Sequence, residues 1–252
     1  MRKLIILTIL LSIFVFASCI EKIPTPFVEE FKDEFEVLDE RYLTIDNFNG
    51  SVSITKWDEN KISVFAEKKS LLGKDELKKV NIEIEKGNEI KIKSTKLTKN
   101  PQVSITYNIK VPEKVILKDI ITSNGNIEIV DLKGDASLKS SNGYIKVINH
   151  NGSLRCDTSN GRIELMNVKG ESTLSTSNGR VFVDGCESVG SIETSNGSVE
   201  VRRTKVIGDV KTSNGKIEVE IENVKENGAK IATSNGSIYV YLDENLNLDI
   251  LL

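Results

Sequence analysis

Aliphatic residues recur in alternation along the second half of the chain: Ile127 and Ile129, Ile145 and Val147, Ile163 and Leu165, Val181 and Val183, Val199 and Val201, Ile217 and Val219, Ile238 and Val240. The residues between them are mostly polar, and this period of two predicts short strands with one buried face. A third apolar position, Ile120, Leu138, Cys156, Leu174, Ile192, Val210 and Ile231, precedes each pair. Each repeat therefore holds two strands. Between them stands the tripeptide Ser-Asn-Gly, with its Asn at Asn124, Asn142, Asn160, Asn178, Asn196, Asn214 and Asn235, spaced by 18 residues five times and then by 21. A second turn follows at Lys133-Gly134, Asn151-Gly152 and Lys169-Gly170, and its spacing shifts in later repeats.

Two architectures suit a repeat of this size. In an antiparallel meander each Asn-Gly would be a hairpin turn. In a β-solenoid each repeat is one coil, stacked at about 4.8 Å on the next. Identity beyond the turn favours the solenoid, because Thr or Ser at 122, 140, 158, 176, 194, 212 and 233 precedes an unvarying Ser and Asn. A hairpin tolerates variation there, whereas stacked coils reward Ser and Asn side chains that bond to the same residue one coil away. The expected role of the Gly is a positive φ at the corner. The sequence thus predicts an all-β parallel solenoid of 18-residue coils carrying a Ser-Asn-Gly turn ladder over residues 121–252.

Residues 35–120 lack the rhythm but alternate at Ser51–Ile54, Ile62–Ala66, Val80–Ile84 and Ile90–Ile92, which predicts longer strands capping the N-terminal end; Lys74–Lys79 reads as a helical turn. Leu242, Leu246, Leu248 and Ile250–Leu252 are expected to close the last coil. At the start, Arg2 and Lys3 precede an apolar run from Leu4 to Phe16 and then Ala17-Ser18-Cys19. This is the order of a secretory signal, and the run is shorter than the ~20 residues needed to span a bilayer. Residues 1–18 are therefore expected to be a cleaved signal peptide and residues 19–34, with Pro24, Pro26 and several acidic residues, a tether. Phe16-Ala17-Ser18-Cys19 resembles the lipobox of prokaryotic lipoproteins, which implies lipid on Cys19 and anchorage at the outer face of the cell membrane or envelope.

The stretch Leu43-Thr44-Ile45-Asp46-Asn47-Phe48-Asn49-Gly50-Ser51-Val52-Ser53-Ile54, the following Lys56-Trp57-Asp58, the segment Tyr107-Asn108-Ile109-Lys110-Val111-Pro112 and the Ser-Asn-Gly array resemble the putative-adhesin family of exported β-helical domains, akin to auto-transporter adhesin heads. The resemblance runs from about residue 36 to the C-terminus. It implies a right-handed parallel β-helix and supplies no catalytic residues.

Composition narrows the chemistry. A formal net charge of −3, from 34 Lys plus Arg against 37 Asp plus Glu, excludes a basic nucleic-acid binder, and loss of Arg2 and Lys3 makes the chain more acidic still. A mildly acidic domain has no electrostatic reason to lie flat on an anionic membrane. One His and three Cys leave little for a zinc site or disulfides. His150, Cys156 and Cys186 fall in apolar columns and read as core. No Asp stands in the turns as a calcium-roll loop requires, and no cofactor is expected. Glu200 and Glu218, neighbours in the outward column, are the candidate carboxylate pair of a polysaccharide-cleaving β-helix, but Arg202 and Lys216 beside them predict ion pairing instead. The outward residues Tyr144, Arg162, Arg180, Phe182 and Tyr239 are the candidate ligand-facing surface. The reading is a lipid-anchored, non-enzymatic adhesin-like binding or structural module that contacts the membrane through its lipid and takes a glycan or protein ligand; the alternatives are a polysaccharide lyase or hydrolase and an envelope-stress or regulatory lipoprotein.

Overall fold

Alternating aliphatic residues bury one side of most strands, and the chain satisfies these sides at once by winding into two facing sheets; at the C-terminal end Ile238, Val240 and Leu242 stay exposed, so the expected closing of the last coil by Leu242 is not seen. The computed structural model describes residues 25–244 and 246. The predicted signal peptide and Cys19, and the terminal Leu248 and Ile250–Leu252, lie outside the described residues. The first strands are β1 (Phe27–Glu36), β2 (Arg41–Asn47), β3 (Val52–Lys56) and β4 (Lys61–Ser70), then a one-turn helix α1 (Lys74–Leu77), β5 (Val80–Lys86), β6 (Glu89–Lys96), β7 (Ser104–Val111) and β8 (Val115–Thr122). The repeats supply β9 (Ile127–Lys133), β10 (Ala136–Ser140), β11 (Ile145–Asn151), β12 (Leu154–Thr158), β13 (Ile163–Lys169), β14 (Glu171–Thr176), β15 (Val181–Asp184), β16 (Ser188–Asn196), β17 (Val199–Thr204), β18 (Val206–Asn214), β19 (Ile217–Ile221), β20 (Ile231–Asn235) and β21 (Ile238–Leu242).

Within the repeats odd-numbered strands pair with odd ones and even with even, all in parallel, so that one face runs β9–β11–β13–β15–β17–β19–β21 and the other β10–β12–β14–β16–β18–β20. The result is a right-handed parallel β-helix of about seven coils. Register follows the sequence columns: Ile127, Ile145, Ile163, Val181, Val199, Ile217 and Ile238 are successive partners, as are Ile120, Leu138, Cys156, Leu174, Ile192, Val210 and Ile231. The three extra residues of the 21-residue interval are absorbed between β19 and β20, and Ile231 still meets Val210. The later shift in the second turn appears as a bulge between Ser172 and Thr173.

Residues 35–120 extend the same two faces. β3 lies beside β9 and β2 beside β8 in parallel, and the antiparallel pairs β4–β7, β1–β4 and β5–β6 finish the end. β1 corrects the expected tether: residues 27–34 are strand, because alternate side chains such as Phe31 and Phe35 pack on the core, with Glu29 and Asp33 on the same side paired to Lys68 and Lys86, while Glu30, Lys32 and Glu34 lie on the other side. Both terminal strands of this end, β1 and β5, are rich in charge, which discourages edge pairing. Inside the cap, the hydroxyl of fully buried Tyr107 shares a 2.7 Å bond with Ser94 Oγ, which donates to Asn47 Oδ1. Asn47 Nδ2 in turn donates to the carbonyls of Gly50 and Ile105. Burial pushes the Tyr107 phenol up to about 12, so the network stays neutral and ties the two faces together.

The Ser-Asn-Gly corner works through contacts the sequence only half foretold. Each Asn Nδ2 donates to the Asn Oδ1 one coil earlier, an unbroken ladder from Asn235 to Asn124 with rungs of 2.7–2.9 Å. The Ser contributes its backbone carbonyl, which accepts from the next coil's Asn N–H. It is the Thr or Ser at 122, 140, 158, 176, 194, 212 and 233 whose hydroxyl crosses between coils, donating to the carbonyl of the preceding coil's glycine at 2.6–3.2 Å. Glycine is required here by crowding and not by φ, which is not positive at Gly125, Gly143, Gly161 and their equivalents. A Cβ at Gly161 would lie 2.0 Å from the Gly143 carbonyl oxygen, and the other repeat positions are as tight. Positive φ belongs to the second corner, at Gly134, Gly152 and Gly170 and, unforeseen, at Asp131, Asn149 and Asn167. Those three side chains form a second amide ladder of 2.8 and 3.0 Å rungs, and Asn and Asp are the residues that tolerate this conformation.

His150 stands between Leu132 and Val168 in the core, 1% exposed. Its Nε2 donates to the Gly134 carbonyl at 2.7 Å, and Nδ1 has no partner. Cys156 and Cys186 are buried free thiols in the same interior; burial pushes Cys186 up to about 11 and Cys156 upward too, so neither is a nucleophile.

Two stability tests follow from these contacts. Gly161→Ala should lose about 1–3 kcal/mol in denaturant unfolding, while Gly87→Ala, where the nearest atom is at 3.5 Å, should stay within about 0.5 kcal/mol. Burial lowers the His150 pKa below the ordinary histidine value of about 6.5, so the unfolded chain binds the proton more readily. Stability should then be full above about pH 6.5 and fall as pH drops below it, because a charged ring would bury an N–H on Nδ1 with no acceptor. His150→Leu should flatten this limb of a melting-temperature profile between about pH 4 and 7.

Candidate ligand-facing surface

Because the repeat places the same position of every coil in one line, outward side chains form columns as regular as the inward ones. On the face of odd-numbered strands, Glu128, Lys146, Glu164, Phe182, Glu200, Glu218 and Tyr239 are successive partners. Just before them, Tyr144, Arg162 and Arg180 occupy consecutive coils, joined by the Ile145 N–H to the Arg162 carbonyl and the Ile163 N–H to the Arg180 carbonyl. The Arg162 guanidinium lies 4.8 Å from the Tyr144 ring centre and that of Arg180 lies 5.5 Å from Phe182. Four of the five predicted ligand-facing residues are thus one cluster. Tyr239 is separate, three coils away along the column of Phe182, with Lys216 stacked 4.8 Å over its ring.

Carboxylates hold the guanidinium groups in place. Arg162 Nε pairs with Glu164 at 2.7 Å, and Glu200 accepts from both Arg180 and Arg202. The Tyr144 hydroxyl donates to Glu128, which raises the phenol's pKa. The arginine side chains remain about half exposed, so their stacked planes are presented to solvent while their charge is partly balanced. Beside this cluster lies a strip the sequence reading passed over, the half-buried Val130, Ile148 and Met166, which are direct partners on three coils. The 18-residue spacing would have revealed it, since these residues share the outward parity of Glu128.

The opposite face is different in kind. Strands β10, β12, β14, β16, β18 and β20 contain no aromatic residue, and their outward positions carry Ser, Thr and local ion pairs such as Arg155–Asp157. Tyr144, Phe182, Tyr239 and Tyr241 all lie on the first face.

Glu200 and Glu218 are indeed neighbours, but their surroundings suit anions. Glu200 sits between two guanidinium groups, and the Lys216 ammonium holds the Glu218 carboxyl below its usual value. A glycosidic acid needs the reverse, a carboxyl raised toward neutrality. Among the described residues no group of three or more His, Cys, Asp or Glu side chains is placed to hold a metal ion, and no helix is long and apolar enough to cross a membrane.

The architecture has solved counterparts. A putative adhesin from Bacteroides fragilis superposes with a TM-score of 0.53 at 14% identity, covering 84% of this chain and 97% of the other. A putative adhesin from Parabacteroides merdae gives 0.45 at 14% identity over 84% and 96%, and a putative cell adhesion protein from Clostridium sporogenes 0.32 at 15% identity over 85% and 100%. At 14% identity the likeness to the Bacteroides fragilis protein speaks for the fold alone. No curated protein matches the sequence. The Toastrack DUF4097 family matches residues 41–251, from β2 through the β-helix, and the chain belongs to that family.

Proposed function

We propose that the protein is an exported, lipid-anchored, non-enzymatic adhesin-like module that binds an extended glycan or protein ligand on its aromatic face. The observation that carries this reading is the confinement of every repeat aromatic to one face, with Tyr144, Arg162, Arg180 and Phe182 gathered on three consecutive coils. A flat sheet face offers no enclosed pocket for a small molecule. It offers a row of rings and guanidinium groups at about 4.8 Å intervals, which suits a polymer whose successive units each make a weak contact. The name of the Bacteroides fragilis neighbour, a putative adhesin of the same fold, supports a surface role. The lipobox-like Phe16-Ala17-Ser18-Cys19 supports lipid attachment at Cys19. Carbohydrate cleavage is the second reading, and the ion-paired state of Glu200 and Glu218 counts against it.

Incubation of the purified protein with envelope polysaccharides and an envelope extract, followed by pull-down and polymer sizing, should give retention without shortening. Tyr144→Ala and Phe182→Ala should each weaken retention about 5- to 30-fold, the range of a lost interfacial aromatic, and Tyr239→Ala less. Shortened polymer that persists in the purified protein and is lost in Glu200→Gln would sink the binding reading. For the anchor, cells expressing the wild-type chain should incorporate labelled palmitate into it, and Cys19→Ser should abolish the label.

A further inference from the structure

The cap carries a surface that the binding face does not explain. At its Asn-ladder corner lies an open groove of about 690 Å³ whose lining includes Pro26, Leu71, Leu72, Lys69 and Lys96 and contains no carboxylate. Leu71 and Leu72 are 60% and 70% exposed in the turn that leads to α1, and Leu97, next to Lys96, is 59% exposed. Solvent-exposed leucines at adjoining turns are costly to leave in water. Lysines surround them. Lys69, Lys78 and Lys79 are paired with Glu67, Asp75 and Glu76. Lys74, Lys96 and Lys99 have no carboxylate within ion-pair distance among the described residues, and Lys96 reaches only the Phe48 ring, at 4.8 Å. A chain of net charge −3 thus keeps three uncompensated amines at one corner, together with three exposed leucines.

The geometry points to an anionic lipid bilayer as the partner of this corner: Leu71, Leu72 and Leu97 enter the interfacial region and Lys74, Lys96 and Lys99 meet the headgroup phosphates. Apolar side chains ringed by lysine are the chemistry of interfacial binding, in which buried apolar area and electrostatic attraction add. The chain itself leads there. Pro26 lines the groove, and Cys19 lies seven residues earlier, within about 25 Å of it whatever path the chain takes. The inference deepens the anchored reading, since a lipid on Cys19 would hold this corner to the bilayer, and it can be tested with no lipid attached. It also places the β-helix end-on, with the aromatic face directed sideways and free.

The test uses the chain from residue 19 onward with Cys19→Ser, which keeps all of the described core, and sediments it with vesicles of phosphatidylcholine alone or with added phosphatidylglycerol. Partitioning onto the mixed vesicles should exceed that onto neutral ones at least about tenfold and fall as salt rises. The triple variant Lys74→Gln, Lys96→Gln, Lys99→Gln should lose about 100-fold on mixed vesicles, and Leu71→Ser with Leu72→Ser about tenfold or more. Unchanged circular dichroism and melting temperature confirm that these exposed substitutions leave the fold intact. No preference for the anionic vesicles, retention unchanged in both variants, or loss caused instead by Tyr241→Ser at the other end would overturn the assignment. Displacement by a soluble acidic polysaccharide would do the same and reassign the corner to a glycan. Because the tested chain has no lipidated cysteine, failure of palmitate labelling at Cys19 leaves this result untouched.

Discussion

The distance between successive glycine backbones at the Ser-Asn-Gly corner governs the rest of the structure. Each coil's glycine carbonyl points at the place where the next coil's Cβ would stand, 1.9–2.3 Å away from Gly125 to Gly236. No side chain fits there, so the coils can close to the spacing at which parallel strands hydrogen-bond. The same carbonyl accepts the Thr or Ser hydroxyl of the following coil, and the neighbouring Asn amides interlock. Each of these contacts is worth only about 0.5–1.5 kcal/mol net, yet all of them repeat in register. A coil displaced by one residue would lose its hydroxyl bond and its amide rung and would turn its aliphatic column outward. Register is therefore overdetermined, and the long uniform sheets follow.

That regularity makes the outer surface a consequence of the inner one. Once Ile145, Ile163 and Val181 must stack inward, Lys146, Glu164 and Phe182 must stack outward, and any aromatic or arginine placed at those positions is held in a row at no further conformational cost. The cap deals with the opposite requirement, which is to stop. It turns the chain back on itself with antiparallel strands, crosses from face to face through the Asn47, Ser94 and Tyr107 network, and covers its outer edges with Glu and Lys.

The repeats were legible in the sequence to the level of individual partners. The three apolar columns, their continuity across the 21-residue interval, the Asn ladder and the core placement of His150, Cys156 and Cys186 all depend on a fixed period, and a period can be counted. The role of the glycine was misassigned because positive φ is the ordinary local reason for Gly in a turn, whereas this Gly answers to a backbone 18 residues away. The Asp131, Asn149 and Asn167 ladder escaped for a related reason: it sits inside what reads as strand. Residues 27–34 read as a tether because their charge hides a strand edge that only β4 makes meaningful.

What the sequence determined by itself was everything that repeats, namely the strand faces, the coil length and the order of partners, because translational symmetry converts spacing in the chain into contact in space. The tertiary structure decided what does not repeat. It stacked the Arg162 and Arg180 guanidinium groups on the Tyr144 and Phe182 rings, and it brought the turn at Leu71 and Leu72 beside Lys96 and Pro26 in an otherwise acidic chain. Net charge sums over residues without regard to place, whereas binding depends on which side chains share a surface, and that is set by antiparallel returns in the cap for which the chain carries no period to count.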